Sequence, residues 1–204
     1  MEIAAYMLSC PARETVRTAT LASFASTDWS ADPTVEIDRS THQRAQDRQT
    51  ETALGLLERA LHDGASMFLF LEDDLQFNRF LRHNLERWPP LAAAQHGSHF
   101  FASLYNPGVR IVRMDRSDQY FVADPCSVYG SQALVLSAAT ARHVVDQWYS
   151  EIGMQDIKMS RLAGDVTQIY YHRPSLVQHA RVHSVWGGPY HRAIDFSQTW
   201  KSNR

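Results

Sequence analysis

Residues Ser66 to Leu75 read Ser-Met-Phe-Leu-Phe-Leu-Glu-Asp-Asp-Leu, so a short apolar run stops abruptly at Glu72, Asp73 and Asp74. An apolar run of this length, rich in Phe and Leu, reads as a strand buried on both faces in the middle of an α/β sheet. Ligands of open α/β sheets bind outside the carboxyl ends of the strands. Three carboxylates at that edge repel one another unless a positive group joins them. A hard divalent cation, Mg2+ or Mn2+, bound through oxygen together with a substrate phosphate, would supply that charge. The competing reading is three solvated acids that cap a helix beginning near Arg79.

Three further groups of residues carry chemistry. His179, Arg181 and His183 fall within Pro174 to Trp186, after a strand-like stretch. Neutral imidazole completes a divalent metal's shell, and Arg181 can neutralise phosphate. Asp156 opens a helix after Gly153. A carboxylate is electrostatically favoured at that place, and it is also where a general base could deprotonate an acceptor hydroxyl. Arg13 and Arg17 follow the first strand, in the loop that commonly meets a nucleotide in doubly wound sheets. For Arg17 a solvated helix face is an equal reading. The chain has no Gly-x-Gly-x-x-Gly, P-loop, Cys-x-x-Cys or Gly-x-Ser-x-Gly motif. Trp88, Trp148, Trp186 and Trp200 could line a sugar site, but each is more often core or interface.

The elements that must position these groups follow from pattern. Strands are expected at Ile3–Leu8, Thr34–Ile37, Met67–Leu71, His99–Leu104 and Ala133–Leu136, with a hairpin around Val109–Met114. Helices are expected at Glu14–Ser26, Gln49–His62, Arg79–Arg87, Ala138–Tyr149 and Met154–Ala163. Gly64 stands where a helix C-cap belongs and Ser137 where an N-cap does. Alternation of strand and helix implies a mostly parallel, twisted sheet flanked by helices, in one α/β domain over residues 1–204 with an irregular tail at 187–204.

Composition narrows the classes. The chain has 204 residues, 44% hydrophobic and 21% charged, enough for one sizeable core. A net charge of −2 makes no electrostatic case for a nucleic-acid partner. Cys10 and Cys126 make no disulfide framework and are expected to be reduced, partly buried thiols. No apolar stretch approaches the roughly 20 residues that span a bilayer, and Met1-Glu2-Ile3 lacks a signal-peptide pattern. A cytoplasmic protein is therefore expected.

An Arg-bearing loop, an apolar strand ending in Leu-Glu-Asp-Asp, the segment Tyr129 to Ser137 leading into an Ala-rich helix, and Pro174-Ser-Leu-Val-Gln-His179 followed by Ser together resemble a known family. They are similar to nucleotide-sugar glycosyltransferases of the GT-A fold, nearest to the N-acetylglucosaminyltransferase IV group and the lipooligosaccharide galactosyltransferase-like proteins. The resemblance spans about Ile3 to Trp186 and rests on three short motifs. It implies that Glu72-Asp73-Asp74 is an Asp-x-Asp-type motif. Asp74 would then bind Mn2+ or Mg2+, and Glu72 or Asp73 would face the donor ribose or a metal-bound water. It also implies that His179, with His183 in reserve, is a metal ligand, that Asp156 is the base, that Gly130, Ser131 and Gln132 face the donor sugar and acceptor, and that Arg13 contacts the nucleotide. The chain departs from the family in its shortness and in Gln155, where many relatives carry an acid.

These readings predict transfer of a sugar from a nucleotide-diphosphate donor, a UDP-sugar first, to a carbohydrate or other hydroxyl acceptor. The alternatives are a metal-dependent phosphoryl-transfer enzyme or phosphoesterase at the same acidic edge, and a non-catalytic nucleotide- or carbohydrate-binding module. Inverting and retaining outcomes both stay open.

Overall fold

A computed structural model describes residues 2–94, 97–107, 118–182 and 191–203, and the backbone alone of 113–116. An eight-stranded sheet runs in the order β2-β1-β3-β8-β5-β9-β7-β6. Its strands are β1 (Ala4–Ser9), β2 (Thr34–Ile37), β3 (Met67–Leu71), β5 (Phe101–Ser103), β6 (Arg113–Arg116), β7 (Tyr120–Ala123), β8 (Ala133–Ser137) and β9 (Ile169–His172). A separate ribbon pairs β4 (Leu75–Phe77) with β10 (Val177–His179). The helices are α1 (Glu14–Ala25), α2 (Ala45–His62), α3 (Leu81–Glu86), α4 (Pro89–Ala93), α5 (Ala138–Asp146) and α6 (Gln155–Gly164). The architecture is mixed α/β with a mostly parallel central sheet flanked by helices. By their pairings, β2, β1, β3, β5, β9 and β6 point one way, while β8 and β7 run against them.

All five residues of β3 are buried, which is why the strand reads as continuous Phe and Leu rather than as an alternation. Successive side chains leave opposite faces of a strand. Tyr6, Leu8, Phe68 and Phe70 therefore join one core with Leu54, Leu57, Val144 and Leu162 of α2, α5 and α6. Ala5, Met7, Leu69 and Leu71 join the other with Phe24, Leu81, Leu85 and Trp88.

Several elements depart from pattern-based expectation. The sequence suggests a loop up to Arg48, yet α2 begins at Ala45, because Arg48 pairs with Asp38 at 3.1 Å and Gln49 and Thr52 are buried. Asp73 and Asp74 do not cap a helix near Arg79; the chain instead forms β4, whose partner β10 lies far along the sequence. The expected helix Arg79–Arg87 shortens to α3, and Pro89–Ala93 forms a helix of its own with Pro at its start. The helix after Ser137 stops at Asp146 instead of Tyr149. The expected hairpin survives in part as β6 and β7, shifted along the chain, and 108–112 lie outside the described residues. Ser137 does cap α5, accepting from the Thr140 N–H, and Gly64 takes a positive φ of 78° just past α2. Cys126 is exposed, not partly buried. Trp88 and Trp148 are core residues, and Trp186 lies outside the described residues.

The described part of the tail, 191–203, holds no helix or strand but is anchored. Buried Asn78 donates to the carbonyls of Ser197 (2.7 Å) and Trp200 (2.8 Å), and Asn84 Oδ1 accepts from the Ser202 N–H at 2.8 Å. Trp200 then rests 5.7 Å from the ring of buried His172, whose ring also meets Trp88 at 4.9 Å. Among the described residues, no helix is long and apolar enough to cross a membrane.

Burial lowers the pKa of His172 to about 4, outweighing the Pro174 carbonyl 2.7 Å from Nδ1 and the charge of Asp195. A depressed imidazole stabilises the folded state above its unfolded value of about 6.5, and that contribution is lost as pH falls toward 4. We expect thermal stability to fall between pH 6.5 and 4. A His172→Phe variant should have a flatter profile by an amount on the order of 2–3 kcal/mol, read from urea unfolding at several pH values.

Candidate active site

The site is assembled by strand register. β1 and β3 pair in parallel with Met7 opposite Leu71, so two residues further on Ser9 stands against Asp73. Ser9 Oγ donates to Asp73 Oδ2 at 2.5 Å. The ribbon aligns His179 with Leu75, and one step beyond, the Ala180 N–H donates to the Asp74 carbonyl at 2.7 Å. His179 Nε2 thereby comes 3.0 Å from Asp74 Oδ2, across a sequence separation of 105 residues. Thr20 of α1 locks the turn between the acids and β4: its hydroxyl donates to the Asp73 carbonyl (2.6 Å) and accepts from the Leu75 N–H (3.0 Å).

The two aspartates are each only 5% exposed and need compensating charge. Arg13, at the end of a 3₁₀ turn ahead of α1, supplies it. Its Nε lies 2.7 Å from Asp73 Oδ1, and its Nη2 donates to Asp74 Oδ2 at 2.5 Å. Arg17 braces the arrangement by donating to Ser9 Oγ (3.0 Å) and the Cys10 carbonyl (3.3 Å), so it is not a solvated residue of the helix face. Both oxygens of Asp73 thus have partners inside the protein. Asp74 is lopsided. Its Oδ2 takes Arg13 and His179, whereas its buried Oδ1 has no hydrogen-bond partner among the described residues.

These contacts separate the titrations. Burial works against ionisation of Asp74, but His179 and Arg13 outweigh it and hold the carboxyl below its ordinary value. Burial likewise opposes protonation of His179, and the hydrogen bond and charge of Asp74 overcome it, raising the imidazole. Burial raises Asp73 despite Ser9 and Arg13. Glu72 is pushed up to about 8, first by burial and then by the charge of Asp74.

A second strand end completes the rim. The Glu72 N–H donates to the Gln132 carbonyl at 2.9 Å, and Ser131 Oγ donates to Glu72 Oε1 at 2.6 Å. Gln155, the first residue of α6, donates from Nε2 to Ser131 Oγ at 3.1 Å, while its buried Oε1 has no hydrogen-bond partner among the described residues. Asp156 accepts from the Gly130 N–H at 2.8 Å and from the Ile157 N–H at 2.9 Å. The Tyr105 ring is buried 6.5 Å from that of His179.

The structure therefore gathers Arg13, Glu72, Asp73, Asp74, Gly130, Ser131, Gln132, Asp156 and His179 along one edge of the sheet. Arg181 follows His179 by two residues and is exposed. His183 lies outside the described residues. Sequence reasoning missed Ser9 and Thr20 as supports of the acids, and took Gln155 for a departure rather than a participant. Only the position of Ser9, at the end of the strand neighbouring β3, carried a signal. Among the described residues no group of three or more His, Cys, Asp or Glu side chains is gathered to hold a metal ion. Asp74 offers a divalent cation one unpaired carboxylate oxygen, and His179 would have to exchange its contact with Asp74 Oδ2 to serve as a second ligand. One or two such ligands, with the remaining positions left to water and phosphate, are what Mg2+ accepts.

No protein-family profile and no curated protein matches the chain. Its fold has counterparts among solved structures. The structure of a glycosyltransferase involved in the glycosylation of the major capsid of PBCV-1 superposes with a TM-score of 0.51 over 89% of this chain and 94% of that one, at 8% identity. A mannose-1-phosphate geranyltransferase from Thermus thermophilus gives 0.45 over 84% and 74% at 12% identity. A 4-diphosphocytidyl-2C-methyl-D-erythritol synthase gives 0.44 over 81% and 88% at 14% identity. At such identities the likeness is one of fold alone, and it rests on the first of the three.

Gly130 has a φ of 87°, which L side chains adopt only with strain. An added Cβ would also meet the Gln132 side chain. Gly130→Ala is expected to lower stability by about 1–2 kcal/mol in urea unfolding, from the left-handed backbone alone.

Proposed function

We propose that this protein is a transferase that moves a sugar from a nucleotide-diphosphate donor to an acceptor hydroxyl. The observation that carries the reading is the meeting of Asp74 with His179 at the carboxyl end of β3, beside a second carboxyl, Glu72, held by Ser131. A charged edge of this composition suits a diphosphate, whose oxygens must be neutralised as the bond to the sugar breaks. The fold shared with the PBCV-1 glycosyltransferase supports the same reading.

Asp74 and His179 would hold Mn2+ or Mg2+, which when bound would stabilise the charge growing on the leaving diphosphate. Arg13 adds positive charge at the same edge, and exposed Arg181, two residues past His179, would be a further partner for phosphate. Ser131 and Gln155 orient Glu72, and the unpaired Gln155 Oε1 gives the rim one further acceptor for a sugar hydroxyl. The Gly130 to Gln132 turn, tied through the Gly130 N–H to Asp156, would face the donor sugar and help hold the reacting groups in line. Asp156 would accept the proton of the attacking hydroxyl. Each of its oxygens takes one backbone N–H and retains a further lone pair for that purpose.

A thermal-shift panel of nucleoside diphosphates, with and without Mn2+, tests the donor class. One nucleoside diphosphate plus Mn2+ should raise the melting temperature where either alone does less. Asp74→Asn should abolish that joint shift and metal-dependent donor hydrolysis. Asp156→Asn should lose at least about 10²-fold in turnover while binding the nucleotide normally. Phosphate release from simple esters, or joint binding with no turnover of any donor, would replace the transferase reading with the phosphoesterase or the binding module.

A further inference from the structure

The cation that compensates the acidic edge in this structure is Arg13. It bridges Asp73 and Asp74, at 2.7 and 2.5 Å, and its side chain is 12% exposed. Its grip is one-sided. Asp74 Oδ2 receives both Arg13 and His179, while Oδ1, also buried, receives nothing among the described residues. A divalent cation approaching Oδ1 would share one carboxylate with a guanidinium, and like charges that close repel. When Arg13 leaves, Asp73 loses its partner at Oδ1 but keeps at Oδ2 the Ser9 hydroxyl, itself held by Arg17, and a bound cation would replace the charge that departs. A guanidinium also matches phosphate as well as it matches carboxylate. A diphosphate on this edge would therefore offer Arg13 an alternative partner of the same geometry.

We infer that Arg13 couples metal to diphosphate binding. While it is paired with Asp74 it weakens the metal site. When a diphosphate draws the guanidinium away, the carboxylate is released to the metal. Each ligand then raises the affinity for the other by the same factor, as thermodynamic linkage requires. The inference rests on the metal–diphosphate reading of the site. It assigns Arg13 to control of occupancy, beyond contact with a nucleotide.

The test is Mn2+ binding to the full chain, followed by electron paramagnetic resonance of free Mn2+, with and without inorganic pyrophosphate and with the Mn2+–pyrophosphate complex in solution accounted for. Wild type should bind Mn2+ at least tenfold tighter with pyrophosphate. Arg13→Gln, which keeps hydrogen-bond donors but removes the charge, should bind Mn2+ alone at least tenfold tighter than wild type, with coupling reduced at least fivefold. Arg13→Lys should behave like wild type toward Mn2+ alone. Equal Mn2+ affinity in wild type and Arg13→Gln would overturn the inference and leave the site reading standing. Failure of Mn2+ and pyrophosphate to bind together to either protein would overturn both. Should Arg13→Gln not fold, the Nε–H resonance of Arg13 in wild type decides, identified by its loss in Arg13→Lys. It should shift when Mg2+ and pyrophosphate are added together and not with Mg2+ alone, and a resonance unmoved with both bound refutes the coupling.

Discussion

Two adjacent carboxylates buried at the end of a central strand are tolerable only if positive groups meet them, and much of the architecture around β3 is arranged to satisfy that condition. Arg13 reaches back from the turn after β1, and His179 arrives on a ribbon from the far end of the chain. Ser9 and Thr20 satisfy the remaining polar atoms of Asp73. Removing one partner of such a set leaves a buried charge exposed to its neighbour's repulsion, a larger penalty than the net worth of the pair. The acids, the first loop and the β4–β10 ribbon are therefore one mechanical unit.

The mixed direction of the sheet serves the same edge. Because β8 runs against β3, the start of β8 lies beside the end of β3, and the turn ahead of it, Gly130 to Gln132, sits next to Glu72. A parallel strand at that place would put its beginning at the opposite edge of the sheet. The N-terminus of α6 closes the arrangement, with Gln155 bound to Ser131 and Asp156 to the Gly130 backbone. Each side chain of the candidate site thus comes from an element terminus, and the buried strands between them supply the rigidity.

The chain was legible wherever pattern is local. The apolar run of β3, the helix that follows β1, the cap at Ser137 and the acids at a strand end all follow from burial periodicity and from the chemistry of single residues. It was illegible where a short segment takes its structure from a distant partner. β4 has three residues and becomes a strand only because Val177–His179 lies against it. The start of α2 is polar and becomes helical because Asp38 and the sheet receive its side chains. Arg13 reads as a nucleotide-facing residue in the sequence; its pairing with Asp73 and Asp74 is visible only in the structure.

By itself, then, the amino-acid order determined that a strand buried on both faces would deliver Glu72, Asp73 and Asp74 to an edge of an α/β sheet, since hydrophobic pattern and charge act within a few residues. Tertiary structure alone decided which groups compensate those acids, which way β8 runs, and that His179 and Asp74 meet. Those outcomes depend on pairing between segments as far as 105 residues apart, where register and packing of the whole core, not the preference of any residue, select the partner.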